Sequence, residues 1–323
     1  MPTRQGSIRL FRLAGIDVYL HWWWFLAAVY EIQGGTSGYS SIGWNIAEYL
    51  GLFLIVLMHE YGHALACRQV GGIADRIVLW PLGGVAYVNP PPRPGAALWS
   101  IAAGPLVNIV LLPIFVGLLI LGKTTGWWEA NPNAHLLLSK ITWKIDLGLL
   151  LFNILPIYPL DGGQILRSLL WFVFGRARSL MAATIIGFIG AIGLIGLAIW
   201  QESVWLGFIS AYLIMNCWGG WKHARDLAQF AKLPRRDEFR CPKCQTSPPI
   251  GEYWKCTQCG QAFDTFAKQA TCPHCGNRFS VTRCLDCGQL SPMTEWTTGS
   301  LAQPSHNLES DFSKRASNPY EIR

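Results

Sequence analysis

The stretch "LMHEYGHALAC", residues 57–67, carries a histidine, a glutamate and, four positions after the first histidine, a second one, all inside an otherwise apolar run. A helix that turns every 3.6 residues puts His59 and His63 one turn apart on one face, where two imidazole nitrogens can hold one Zn²⁺, with Glu60 beside them. In the pattern H-E-x-x-H the glutamate is not a ligand but the base that takes a proton from the water the metal activates. Each ionisable group placed in a bilayer costs on the order of 2.5–3.5 kcal/mol unless it faces a cavity or a partner. Three together therefore point to function, with a hydrogen-bonded histidine pair lacking metal as the alternative. Cys67, one further turn along the same face, reads as a small buried residue rather than a ligand.

Outward from this stretch the composition is that of a membrane protein. Of the 323 residues, 51% are hydrophobic and 14% charged, against about a quarter charged in soluble domains. The apolar residues cluster before Trp221, whereas Lys222–Arg323 is polar and holds eight of the ten cysteines. The first apolar run, Val18–Tyr30, has no small-residue cleavage site behind it and reads as a short first span. Further spans are expected over 43–67, 97–121, 141–155 (continuing irregularly to 174), 180–200 and 204–221, giving about six transmembrane helices. The expected fold class is thus an all-α polytopic membrane protein with a small membrane-associated β-hairpin or sheet and a small cytoplasmic zinc-ribbon region.

Basic residues set the orientation. Arg4, Arg9 and Arg12 precede the first span, Arg68, Arg76 and Arg93 follow the second, and Arg167, Arg176 and Arg178 lie between the fourth and fifth. Lys222, Arg225, Lys232, Arg235 and Arg236 follow the sixth, while loops 33–42 and 201–203 carry no Lys or Arg and 122–140 carries only Lys123 and Lys140. Both termini are therefore expected on the cytoplasmic side of a bacterial-type plasma membrane. A reducing compartment also suits cysteines that come as C-x-x-C pairs.

A catalytic zinc takes three protein ligands and keeps one position open. The candidate for the third is Asp161 in "NILPIYPLDGG", residues 153–163, where Pro156 and Pro159 break a helix and Gly162 and Gly163 allow a sharp turn before the next. Irregular backbone at membrane depth belongs where it is buried in protein or lines a wet cavity, as a ligand loop would. Read alone, Asp161 could equally cap a helix starting near Gly162.

With these motifs in hand, the sequence resembles the site-2 protease family of intramembrane zinc metalloproteases over most of residues 7–175. "SIRLFRLAGIDVYLHW" (7–22) looks like the family's entry strand and first span, "HEYGH" (59–63) like its metal motif and "PLGGVAYV" (81–88) like its loop strand. "AAGPLVN" (102–108) is similar to its third-span motif and "NILPIYPLDGG" to its second metal motif. The resemblance implies His59, His63 and Asp161 as zinc ligands and Glu60 as the catalytic base. It also implies that Asn108 and Asn153 face the active site, where an amide could hold substrate backbone or steady an oxyanion; interhelical hydrogen bonding is the alternative for both. His21, at the start of the first span, gives little reason to be read as a ligand. The chain departs from the family's usual pattern in having no PDZ-like insert between the motifs and no paired nucleotide-sensing module after the sixth span.

The implied activity is hydrolysis of peptide bonds in or near transmembrane segments of membrane proteins, that is, regulated intramembrane proteolysis. A substrate helix in lipid must unwind before attack. The segment "RIVLWPLGGVAYV", residues 76–88, reads as a hairpin whose edge could accept the unwound strand, or which could simply pack on the N-terminal strand. A non-catalytic scaffold with structural zinc and a metal transporter are the rival functions; a transporter gains nothing obvious from Glu60 or from closed cysteine sites.

Those sites follow a linker expected over 223–239. Residues 240–288 hold four knuckles, Cys241/Cys244, Cys256/Cys259, Cys272/Cys275 and Cys284/Cys287, resembling tandem zinc ribbons with two structural zincs beside the catalytic one. Pairing neighbours gives gaps of eleven and eight residues; interleaved pairing stays open. This segment has six Lys or Arg and three Asp or Glu, and two Zn²⁺ bound by eight thiolates turn that surplus into a net charge of about minus one. The balance favours a protein partner over nucleic acid. Residues 289–323 read as a disordered tail, which leaves 1–222 as the metalloprotease domain, in contact with membrane lipid.

Overall fold

Ala14 and Gly15, with φ of 50° and 73°, make the two-residue turn that folds strand β1 (Ser7–Leu13) back on β2 (Ile16–His21). A computed structural model describes residues 6–33, 38–80 and 83–296. Within them the chain forms two units, divided between Ala228 and Gln229.

In the first unit, β2 lies parallel to β3 (Ile73–Trp80), and β3 pairs antiparallel with β4 (Gly83–Asn89), giving the order β1-β2-β3-β4. The expected hairpin is therefore part of a four-stranded sheet. β3 is joined to the N-terminal hairpin, and β4 is an edge. The β-branched and aliphatic residues Ile16, Val18, Ile77 and Leu79 are fully buried. They pack on Val56, Leu57, Ala64 and Cys67 of helix α2 (Ile42–Gln69). Arg68, in the last turn of α2, clamps the arrangement by donating to the carbonyls of Ala14, Gly15 and Ala74.

Helix α1 (Trp23–Gln33) precedes α2, and α3 (Pro94–Thr124) follows the sheet with Pro94 in its first turn. Short helices α4 (Trp127–Ala130) and α5 (Pro132–Ser139) lead into a π-helical segment, Lys140–Asp146, and then α6 (Leu147–Ile154). Helix α7 (Asp161–Trp200) is interrupted at Gly175, whose φ and ψ of 76° and 173° are not helical, and α8 spans Val204–Ala231. α2 and α3 approach closely through small residues. Ala96, Ser100, Gly104 and Asn108 recur every four residues on the buried side of α3, and a Cβ at Gly62 of α2 would collide with the Ala103 carbonyl. The opposite side of α3 exposes Ile109, Val110, Ile114, Leu118 and Leu121, an apolar surface suited to lipid.

Among the described residues three helices, α2, α3 and α7, are long and apolar enough to cross a membrane. The apolar run read as a first span is divided instead. Residues 18–21 belong to β2, and the 11-residue α1 is short against the roughly 20 residues a hydrocarbon core requires. An apolar strand in a buried sheet and a short span share one composition, so hydropathy could not separate them. The fourth expected span is a composite of the π-helical segment and the eight-residue α6.

The second unit starts inside the expected linker. Residues 223–231 continue α8, and Arg235 already pairs with Pro249 in a β-bridge. Two small hairpins, β5 (Trp254–Lys255) with β6 (Ala262–Phe263) and β7 (Thr282–Arg283) with β8 (Leu290–Ser291), enclose Trp254, Phe263, Phe266 and Trp296. The expected disordered tail therefore begins too early. Residues 290–296 form β8 and a 3₁₀ turn, Arg240 donates its N–H to the Trp296 carbonyl at 2.9 Å, and the rest of the tail, 297–323, lies outside the described residues.

Candidate metal centre

The buried stripe of α2 presents His59, Glu60 and His63 inward, with 3%, 6% and 6% of their surface exposed. Facing them on α3 is Gly104, where a Cβ would strike His63 and come within 2.8 Å of His59 Nε2. The third participant arrives from the loop between α6 and α7. Gly162 and Gly163 sit so tightly against the backbone of residues 154–158 that neither position has room for a Cβ, and the Gln164 side chain donates to the Pro159 carbonyl at 2.9 Å. This packing delivers Asp161 as the first helical residue of α7. The cap position falls on Leu160, so Asp161 is not the helix cap. Its Oδ2 lies 3.0 Å from His59 Nε2 and 3.4 Å from His63 Nε2, and the two imidazole nitrogens are 3.1 Å apart.

Hydrogen bonding on the far side of each ring fixes what these atoms carry. His63 Nδ1 faces the Ser100 carbonyl at 2.9 Å, which can only accept, so Nδ1 holds the proton. His59 Nδ1 faces Asn108 Oδ1 at 2.6 Å, while the same amide donates through Nδ2 to Asp146 Oδ1 at 2.7 Å. Both Nε2 atoms are then bare, and with Asp161 Oδ2 they make three lone pairs converging on one point. A tetrahedral ion with bonds of about 2.0–2.1 Å to N and O has ligand edges of about 3.3–3.4 Å, close to the spacings present. The donor set fits a zinc ion that leaves one position for a substrate or water.

Glu60 stands beside this cluster. Its Oε2 accepts the Ala86 N–H of β4 at 2.7 Å, and Gly84 of the same strand is packed so closely that a Cβ would overlap its carboxylate.

The structure thus brings together His59, Glu60, His63 and Asp161. Asn108 is there too, but fully buried, with both ends of its amide engaged by His59 and Asp146 rather than turned to an incoming substrate. Asn153, half-buried on α6, takes part in none of the hydrogen bonds that build the cluster. Cys67 is core, its thiol 3.5 Å from the Ile73 carbonyl, and His21 stacks on Trp22 at the end of β2. Sequence reasoning had Gly104 only as a small packing residue of the third-span motif and missed Asp146. The latter had a readable signal, an acidic residue within an apolar run, the same signal that singled out His59.

The second unit carries two further clusters, and their pairing, left open by the sequence, is not between neighbours. The first knuckle joins the fourth, Cys241 and Cys244 with Cys284 and Cys287, and encloses the second joined to the third, Cys256 and Cys259 with Cys272 and Cys275. Cross-knuckle sulfur separations are 3.6–3.7 Å, near the edge of about 3.8 Å expected for a tetrahedron with Zn–S bonds of about 2.3 Å. In each knuckle the residue after the second cysteine, Gln245, Gly260, Gly276 or Gly288, is left-handed. Burial opposes ionisation of Cys256, but the backbone N–H groups of Cys259 and Gln258 outweigh it and bring that thiol from 9.0 down to about 7. Arg235 locks the outer cluster by a two-pronged pair with Asp286, at 2.8 and 3.0 Å.

Comparison with known proteins finds metalloproteases. The profile of peptidase family M50 matches residues 47–145 and 130–197. A zinc metalloprotease of Methanocaldococcus jannaschii is 36% identical over 181 residues, 56% of this chain and 50% of that relative, so the chain spans about half the length of the curated relative it matches. The solved structure of a site-2 protease from Methanocaldococcus jannaschii aligns with a TM-score of 0.50 and 31% identity, covering 67% of this chain and 95% of the other.

Proposed function

This chain belongs to peptidase family M50, the site-2 proteases, and from that premise we propose that it is an intramembrane zinc metalloendopeptidase cleaving transmembrane segments of other membrane proteins. The observation that carries the reading is the convergence of three bare donor atoms within 3.4 Å of one another, with a non-ligand carboxylate alongside. His59, His63 and Asp161 would hold the ion. When bound, zinc polarises a carbonyl and lowers the pKa of water.

The chain's own groups supply the rest. Glu60, held by Ala86, takes the proton of the attacking water and returns it to the departing amine. The edge of β4 lies on the Glu60 side and offers backbone groups on which an unwound substrate strand can lie. Asn153, its amide not drawn into the cluster, is the residue suited to contact that strand. Burial of the cluster beneath β4 keeps bulk water from it.

α2, α3 and α7, joined by α1, the helical run 132–154 and α8, would make six passages with both termini cytoplasmic. The nested cysteine clusters would hold two structural zincs in a module that docks protein rather than nucleic acid. The test is Glu60→Gln. The variant keeps its zinc and loses turnover, and membrane spans accumulate uncut in cells carrying it; an active Gln variant would remove Glu60 as base.

A further inference from the structure

Asp146 is fully buried, and its carboxylate makes one hydrogen bond, to Asn108. Its other oxygen, Oδ2, is buried with no partner among the described residues. A half-satisfied carboxylate inside a membrane protein is expensive to keep. Packing does not explain it, because an aliphatic residue would fill the same space without that cost.

Its placement depends on the π-helical segment. At one end of that wider turn Lys140 reaches Glu48 of α2 at 2.9 Å, and at the other Asp146 reaches Asn108 of α3. π turns recur at functional sites because they re-aim side chains that a regular helix would point elsewhere.

We infer that Asp146 is a positioning residue which, by holding the Asn108 amide in one orientation, fixes the tautomer of His59 and so keeps His59 Nε2 available to a metal ion. This rests on the zinc-protease reading of the cluster. An asparagine amide can present either face to a neighbour, and the energy separating the two comes from its partners. Asp146 Oδ1 is the acceptor of the Asn108 amide, so Nδ2 turns to it and Oδ1 to His59. Oδ1 accepts only, so His59 must carry its proton on Nδ1. Without Asp146 the amide is free to reverse and offer Nδ2–H to His59 Nδ1. The ring proton then moves to Nε2, pointing at His63 3.1 Å away, and the ligand is lost. Asn108 serves the same chain of contacts, so its role is to transmit orientation.

The test uses purified full-length protein, with zinc counted per chain as a chelator lowers free Zn²⁺ and the two cysteine clusters as internal reference. Asp146→Leu, which cannot accept, should weaken the membrane site by about 10–100-fold, the range for lost outer partners of histidine ligands. Asp146→Asn can accept through Oδ1 or donate through Nδ2, so it no longer dictates which way Asn108 turns, and its affinity should fall between those of the wild type and Asp146→Leu. Asn108→Asp alone places two carboxylates in contact and should lose the ion. Combining it with Asp146→Asn restores an acceptor for His59 and a donor behind it, and should regain at least about tenfold. An unchanged affinity in Asp146→Leu, or a double variant no better than Asn108→Asp, overturns the inference. Should Asp146→Leu fail to fold, the exchange pair decides. A wild-type chain that binds zinc only in the cysteine clusters would instead defeat the protease reading itself.

Discussion

Glu60 Oε2 accepts the backbone N–H of Ala86 at 2.7 Å, tying the helix that carries the histidines to the edge strand of the sheet. In an antiparallel ladder successive N–H groups point alternately toward and away from the partner strand. Since Ala86 points to Glu60, the N–H groups of Val85 and Tyr87 point to β3. Gly84, two residues earlier on the same side, lets the strand lie directly against the carboxylate. One strand edge therefore orients the Glu60 carboxylate, the base of the proposed reaction.

Ala86→Pro removes that donor alone. Proline is tolerated at a strand edge where no ladder bond is lost, so the sheet should persist and zinc content should be unchanged. Loss of orientation at the base should lower turnover by about 100-fold. Val85→Pro, which breaks a ladder bond to β3, should instead destabilise the whole domain. Cleavage of a reconstituted transmembrane substrate, read beside zinc per chain, separates the two outcomes.

Gly104→Ala puts a methyl group where the two imidazoles converge. α3 cannot retreat easily, because Gly62 holds α2 against the Ala103 carbonyl on the neighbouring turn. Overpacking of this kind costs about 1–3 kcal/mol, and here it falls on the donor atoms. Metal analysis should show the membrane site empty with both cysteine clusters still filled. Full occupancy in the variant would mean that α3 shifts more freely than its packing implies.

How far the sequence could be read follows from the range of each interaction. His59, Glu60 and His63 were legible because one helical turn fixes their relation. Asp161 needed the proline and glycine breaks around it, and even then a capping role stayed open until its oxygen was placed against both imidazoles. The Asp146–Asn108 contact was not legible, since it joins residues 38 apart through a π turn that composition does not announce. The knuckle pairing stayed open for another reason. Four C-x-x-C pairs are chemically alike, so spacing cannot tell which join, and in the fold they pack in one buried cluster with Trp254, Phe263, Phe266 and Trp296. Val18–Tyr30 was legible only in part, since β2 takes its first residues and α1 the rest, and a buried strand and a membrane segment are equally apolar.

Nested pairing makes the two cysteine clusters unequal. Closing the inner one brings together knuckles separated by residues 260–271, whereas the outer one spans 245–283. On loop length alone the outer site is disfavoured by about 1 kcal/mol, and that penalty falls once the inner site has folded the intervening chain. Cys259→Ser should therefore weaken both sites, whereas Cys287→Ser should leave the inner site near its normal affinity. Cobalt titration followed through thiolate absorbance checks this. Symmetric effects of the two substitutions would argue for folding as one indivisible unit.

The two asparagines that the family resemblance treats alike should behave differently. Asn108 is fully buried, with its amide held by His59 and Asp146, so Asn108→Ala should lose metal and activity together. Asn153 has no part in the cluster's hydrogen bonds and sits in the last turn of α6, just before the loop that leads to Asp161. Asn153→Ala should keep the full zinc complement and normal thermal stability, and its defect should appear in turnover alone. An amide hydrogen bond to a developing charge is worth about 2.7–4 kcal/mol in other hydrolases. A fall of about 100–1,000-fold in kcat would therefore place Asn153 against the reacting carbonyl. A rise in KM at constant kcat would place it instead along the bound strand, where it holds substrate and transition state equally. Unchanged kinetics would assign its amide to helix packing.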